Sequence, residues 1–245
     1  MMRRLLSLLC VLLLATPALA QDEFNPKQKE ALQKLIHDYI MENPSIIADA
    51  IEALRQKEDL AAELAAKKAL AERKDEIFND ADTPAIGNLK GDVTLVEFFD
   101  YRCPYCKAMA DQVYEAVKAD GKVKLVLKEF PVLGPDSVTA SRAALAAREQ
   151  KKYEEFHKAM MRLKEPVTDK TVYKVAAEVG LNVDRLKKDM DDQKIDLALK
   201  NNIRLAHDLD INGTPAFIIG DQLIPGAITQ QSLKQLIDQT RKPKS

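Results

Sequence analysis

Cysteine, histidine and glycine are all scarce in this chain, and each scarcity removes a class of function. Three cysteines stand at 10, 103 and 106, and the three histidines, His37, His157 and His207, lie far apart. A structural zinc site takes four ligands, commonly in two closely spaced pairs. The one C-x-x-C at 103–106 finds no second pair. Net charge is also nearly absent, although Asp, Glu, Lys and Arg make up 31% of the residues. The formal net value is −1, or −3 without Arg3 and Arg4, which gives no basis for binding nucleic acid or an anionic membrane surface. Beyond residue 20 no apolar run is long enough to span a bilayer, and no internal repeat occurs. Glycine is missing altogether from residues 25 to 78.

What is present begins with a leader. Arg3 and Arg4 precede the apolar run Leu5–Leu14, and Ala18-Leu19-Ala20 forms an A-x-A cleavage site. Residues 1–20 therefore read as a signal peptide cleaved after Ala20, which places the mature chain in the periplasm. Cys10 lies inside the apolar run, and Ser7-Leu8-Leu9 lacks the small residue that precedes a lipid-modified cysteine. Cys10 is thus expected to leave with the leader. Cys103 and Cys106 remain as the only thiols, in an oxidising compartment where a disulfide between them is accessible. A bridge across two intervening residues closes too small a loop to stabilise a fold much. A redox role follows.

Residues 25–78 read as helix. Leu32, Leu35, Ile36, Tyr39 and Ile40 recur at three- and four-residue spacing. Asn43-Pro44 reads as an N-cap and first helical residue, and Ile46, Ile47, Ala50, Ile51 and Leu54 mark a second apolar face before an Ala/Lys/Glu-rich run. Unbroken to Phe78, this second helix would be roughly 50 Å long at about 1.5 Å per residue. Two narrow stripes cannot easily bury each other, so residues 25–78 are expected to form a homo-oligomer. The plainer alternative is a hairpin folded back on its own domain.

Asp82-Thr83-Pro84 ends the helical segment. Val93–Phe99 is apolar and β-branched, a buried strand. A helix follows from Cys103 to Lys118, stopped by Gly121, and residues 122–128 alternate as a second strand. Residues 131–135 read as a loop. Helices are expected at 141–150, 151–163 and 168–179, then a short one capped by Asn182 and another at 194–208. Residues 216–219 and 222–224 flank Gly220-Asp221 as a hairpin, and Thr229 caps a last helix. The order is βαβ, a helical block, then ββα.

Cys103-Pro104-Tyr105-Cys106 sits where the first strand passes into a helix. Unpaired N–H groups and partial positive charge at a helix N-terminus stabilise a thiolate, and the thiolate is the nucleophile. The segment Phe98-Phe99-Asp100-Tyr101-Arg102-Cys103-Pro104-Tyr105-Cys106-Lys107, with Gly213-Thr214-Pro215-Ala216-Phe217, resembles the DsbA family of thioredoxin-fold proteins. The resemblance runs from about Gly91 to the C-terminus. It implies an α/β thioredoxin fold with a helical domain inserted at about 136–209. The helices before it resemble those of the ScsC-like subset, which implies an oligomerisation stalk. The expected layout is signal peptide 1–20, helical stalk 21–85 and DsbA-like domain 86–245.

The resemblance also implies roles. Cys103 is the attacking cysteine and Cys106 the resolving one, while Pro104 and Tyr105 tune the thiolate. Pro215 is the cis-proline facing the disulfide, exposing the Thr214 backbone to an extended substrate. Glu97 corresponds to a buried acid that takes the Cys106 proton, with Lys128 as its partner from the neighbouring strand. Read from residues alone, Glu97 faces solvent as readily as core. The archetypal DsbA carries histidine where this chain has Tyr105. Tyrosine brings no cation, so a less oxidising pair is expected. The implied activity is thiol–disulfide exchange on unfolded or misoxidised exported proteins, without a cofactor and with a membrane redox partner. Isomerase or reductase is the first expectation and dithiol oxidase the alternative. Copper(I) binding by Cys103 and Cys106 is the alternative of another class, because two thiolates suit a soft ion. The histidines read as surface or packing residues.

Overall fold

The structure is a computed structural model that describes residues 24–242; residues 1–20, expected to form a leader and containing Cys10, lie outside the described residues. Among the described residues, no helix is long and apolar enough to cross a membrane. The chain divides into two compact units, one ending at Glu58 and the other starting at Asp59.

The first unit holds helix α1 (Pro26–Glu42) and the opening turns of α2 (Ser45–Glu72). Asn25 and Gln28 form a reciprocal capping box at the start of α1, at 2.9 and 3.0 Å. Asn43, expected to cap α2, closes α1 instead: its Nδ2 donates to the Tyr39 carbonyl at 2.9 Å. None of α1 is buried. Leu35, Ile36 and Tyr39 are exposed, as are Ile47, Ile51 and Leu54 on α2. Within a single chain these apolar faces have no cover.

The second unit is built on a five-stranded sheet in the order β1-β3-β2-β4-β5. Strands β2 (Val93–Phe99) and β3 (Val123–Glu129) are parallel, joined by α4 (Pro104–Asp120), because a parallel pair needs a crossover helix. β4 (Ala216–Ile219) pairs antiparallel with β2, and β5 (Gln222–Pro225) with β4. The β4–β5 turn has Gly220 at φ 61°, a conformation that disfavours a side chain. Between β3 and β4 lie α5 (Pro135–Ala147), α6 (Tyr153–Arg162), α7 (Asp169–Glu178), α8 (Val183–Asp189) and α9 (Gln193–Asp208), and α10 (Gln230–Arg241) closes the chain.

Each sheet face has its own core. Leu95, Phe99, Leu125, Leu127 and Phe217 face α4, α10 and the inserted helices. Val96, Phe98, Val126 and Ile218 face the other way, toward Leu70, Ile77, Leu205 and Leu209.

Three expectations change here. A stalk running to 85 would include Leu70 and Ile77, but both are buried against the sheet. The second helix does not run unbroken to Phe78: it is interrupted at Arg73, and α3 (Lys74–Phe78) follows. No glycine or proline marks that point. Arg73 reaches Glu76 at 3.0 Å and Asp208 at 2.8 Å, and Arg204 binds the same two carboxylates at 2.5 and 3.2 Å. Finally, strand β1 (Ala85–Gly87) pairs antiparallel with β3. It is three residues long, too short for a periodic signal.

Candidate active site

The reactive turn is organised by a carboxylate. β2 ends at Phe99, and the fully buried Asp100 accepts from the backbone N–H of Arg102 (2.7 Å), Val132 (2.9 Å) and Leu133 (3.0 Å) and from the Ser137 hydroxyl (2.8 Å). Four donors on one buried anion fix the chain between strand and helix. Arg102 adds a hydrogen bond from its guanidinium to the Leu133 carbonyl.

That turn delivers Cys103 as the N-cap of α4, with Pro104 in the first turn, where a missing N–H costs nothing. The Cys103 Sγ accepts from the Cys106 N–H at 3.3 Å and lies 3.2 Å from the Thr214 carbonyl, to which the protonated thiol donates. Its pKa falls from 9.0 to about 6. The largest cause is the Cys106 thiol donating to it. Burial opposes this, and the Thr214 side chain and the N–H groups of Cys106 and Tyr105 reinforce it. Cys106 is pushed the other way, far above its usual range, by donating to Cys103, by burial and by the charge of Glu97. One cysteine is therefore primed and the other held protonated. Tyr105 between them is 66% exposed.

Thr214 and Pro215 come from the loop before β4, and the peptide bond joining them is cis. The sequence separates Thr214 from Cys103 by 111 positions, and the β2–β4 pairing brings them into contact.

Glu97 is 2% exposed, on the sheet face that carries Leu95 and Phe99. Burial, and secondarily the Cys103 charge, lifts its pKa to about 8. Lys128 does not partner it. Glu97 aligns with Leu127 and Lys128 with Phe98, so the strand's two-residue period turns Lys128 to the opposite face. There its Nζ donates to Asp80 Oδ2 at 2.9 Å and Thr83 Oγ1 at 2.7 Å. Lys128 fastens the segment before β1 and stands apart from the thiols.

Sequence reading missed a buried polar network beside the reactive turn. Glu129 accepts from Tyr101 (3.0 Å), Tyr153 (2.9 Å) and Ser141 (2.7 Å). His157 links the Tyr101 hydroxyl, 2.9 Å from Nδ1, to the Tyr114 hydroxyl, 2.7 Å from Nε2. Burial lifts Glu129 to about 8 and drives His157 down to about 3. The network joins α5 and α6 of the insertion to the turn that carries Cys103. The one available signal was Tyr153-Glu154-Glu155-Phe156-His157, whose Tyr153 and His157 fall on one helical face.

Comparison with known proteins agrees with this geometry. The family described as DSBA-like thioredoxin domain matches residues 94–238, and the copper resistance protein ScsC N-terminal domain matches residues 28–59. A thioredoxin-like oxidoreductase from Silicibacter pomeroyi is 44% identical in sequence, with a TM-score of 0.68 over 69% of this chain and 98% of that one. Proteus mirabilis ScsC in a transitional conformation is 29% identical, with a TM-score of 0.66 over 89% of this chain and 98% of that one. The probable disulfide bond formation protein D of Bacillus anthracis is 26% identical over 68% of this chain and 82% of its own length. The chain also matches Na(+)/H(+) antiporter NhaA 3 of Salinispora tropica at 24% identity, spanning only 24% of that protein.

Proposed function

This chain belongs to the DsbA-like thioredoxin domain family, and we propose that it is an exported thiol–disulfide oxidoreductase of the DsbA/ScsC type, working as a disulfide isomerase or reductase on misoxidised proteins. The observation that carries this reading is the asymmetric thiol pair. Cys103 is lowered to about 6, while Cys106 is fully buried and pushed upward.

The Cys103 thiolate attacks one sulfur of a substrate disulfide. That S–S bond breaks, a substrate thiolate leaves and takes up a proton, and a mixed disulfide forms on Cys103. Forming it removes the charge that helps to hold Glu97 protonated. Glu97 can then release its own proton to solvent and, as a carboxylate, accept the proton of Cys106. The Cys106 thiolate attacks the Cys103 sulfur, the mixed S–S bond breaks, and the substrate leaves as a thiolate that takes up a proton. Alternatively, a second substrate thiolate attacks the mixed disulfide, the pairing is exchanged, and the enzyme returns reduced.

Two features support isomerisation over net oxidation. Tyr105 supplies no positive charge beside the thiolate. The uncovered apolar faces of α1 and α2, in the segment similar to the ScsC N-terminal domain, suit a homo-oligomer that surrounds one substrate with several thiols. Copper(I) held by the two thiolates is the second reading, favoured by that same match.

The test is recovery of scrambled ribonuclease in a reducing glutathione buffer, set against oxidation of reduced ribonuclease. The expected outcome is strong recovery and weak oxidation; the reverse would refute the assigned direction. Leu35→Glu with Tyr39→Glu, both on exposed positions, should yield a monomer by light scattering and lower the isomerase rate. An oligomer of unaltered size would sink the stalk argument.

A further inference from the structure

Beside the thiols runs a groove of about 940 Å³, at the upper end of ligand-cleft sizes. One wall is a single face of α4, starting at Pro104, the residue next to the nucleophile, and continuing through Lys107 and Ala108. The opposite wall is the end of α6 and the segment 163–168, with Met161, Leu163 and Val167 as its apolar part. Thr214 and Pro215 are not in its lining. It is a surface additional to the loop that faces Cys103 from β4.

The charges around it do not cancel. Arg162 is held by Asp111 at 2.7 Å, and Glu165 by Lys174 at 2.7 Å. Arg102, Lys107 and Lys164 remain without a carboxylate partner among the described residues, against the single carboxylate of Asp136. Lys107 is half-buried and bonds only carbonyl oxygens, those of Leu163 (2.6 Å) and Met160 (3.3 Å). An ammonium has three donors, so one N–H is left over. The 163–168 segment also leaves the backbone N–H groups of Lys164, Glu165 and Val167 without a partner among the described residues.

We propose that this groove seats one arm of the substrate polypeptide, an extended segment with aliphatic side chains and a carboxylate within a few residues of the reacting cysteine. The aliphatic groups lie against Met161, Leu163 and Val167, and the carboxylate meets Lys107 and Lys164. Unpaired backbone donors along the wall suit an extended chain better than a compact small molecule. The inference rests on Cys103 being the exchanging thiol and adds to that reading a substrate class: unfolded, acidic-aliphatic segments.

The test uses the full-length chain carrying Cys106→Ala, so that the mixed disulfide accumulates. Two cysteine peptides differ only in Glu or Lys at the second and third positions from the cysteine, each activated as a mixed disulfide with a chromophoric thiol. The Cys103 thiolate attacks the peptide sulfur, the activating S–S bond breaks and the chromophoric thiolate leaves, so no outside oxidant is needed. Every rate is divided by the rate with hydroxyethyl disulfide, a neutral small disulfide. The Glu peptide should react about five-fold faster than the Lys peptide, the worth of one partly screened ion pair. Added Lys164→Glu should bring that ratio to about one or below, and Lys234→Glu, on distant α10, should leave it. Equal rates for the two peptides, or a ratio unmoved by Lys164→Glu, would overturn the groove assignment while exchange with hydroxyethyl disulfide stands. Failure of Cys103 to react even with the neutral disulfide would overturn the exchange reading itself.

Discussion

Replacing Cys106 by alanine should raise the pKa of Cys103 without returning it to 9.0. The structure assigns the drop to about 6 first to the Cys106 thiol, and then to the Thr214 side chain and the N–H groups of Cys106 and Tyr105. Alanine removes the thiol donor and keeps both N–H groups. A hydrogen bond to a charged acceptor contributes about 1.5–3 kcal/mol, or about one to two pKa units. The variant should therefore titrate at about 7–8. In the native reduced protein about nine-tenths of Cys103 is thiolate at pH 7, against about one-hundredth for an unperturbed thiol. Thiolate absorbance in the ultraviolet against pH measures both proteins directly. Alkylation rate is a poorer gauge, since a more basic thiolate is intrinsically more nucleophilic. The same shift makes the reduced protein gain stability as pH rises from about 6 to about 9, because the folded-state pKa is the depressed one. The disulfide form has no such thiol and should lack that slope. A native Cys103 titrating near 9, or a value unmoved by Cys106→Ala, would refute the reasoning.

Three other outcomes follow from the geometry. Lys128→Met should cost about 1–3 kcal/mol in urea unfolding, because Asp80 loses its buried cation. It should leave the reduction potential of the thiol pair in place; a shifted potential would return Lys128 to the active site. Glu97→Gln should lengthen the life of the mixed disulfide about 10- to 100-fold in quenched-flow trapping, since Cys106 loses its proton acceptor, and equal lifetimes would exclude that role. His157 is held neutral by burial with a pKa of about 3, so its contribution is complete above its unfolded value near 6.5 and is lost as pH falls through about 3. His157→Phe should remove two hydrogen bonds, cost about 2–4 kcal/mol at neutral pH, and flatten the loss of stability between about pH 6.5 and 3. An equally steep acid slope in the variant would place the titrating group elsewhere.

Much of the reactive strand and helix could be read locally. Val93–Phe99 and the helix after Cys103 carry dense period signals, and Cys103, Pro104 and Cys106 are placed by one strand-to-helix junction. Asn182 and Thr229 cap as expected because a cap bonds within three residues. One failure is local: Asn43 bonds backward to Tyr39, four residues earlier, instead of forward. The other two are long-range. Arg73 leaves the helix line where Asp208, 135 positions later, holds it, and Ala85–Gly87 is a strand because β3 offers it an edge. Neither depends on neighbours in sequence alone.

The sequence by itself determined the chemistry: two cysteines with two residues between them, at a helix N-terminus, in a chain with too few other closely spaced ligands for a zinc site. That much is local, since a thiolate at a helix start is stabilised by N–H groups within its own first turn. Tertiary structure decided which charged groups belong to those thiols. Glu97 and Lys128 looked like a pair from adjacent strands, yet a one-residue offset in register sends one toward Cys103 and the other to Asp80 on the far face. Asp100, Glu129 and His157 became parts of the site's frame only when β3 and the inserted helices packed around the turn. Register and long-range packing are set by which faces find cover, and no window of sequence contains that information.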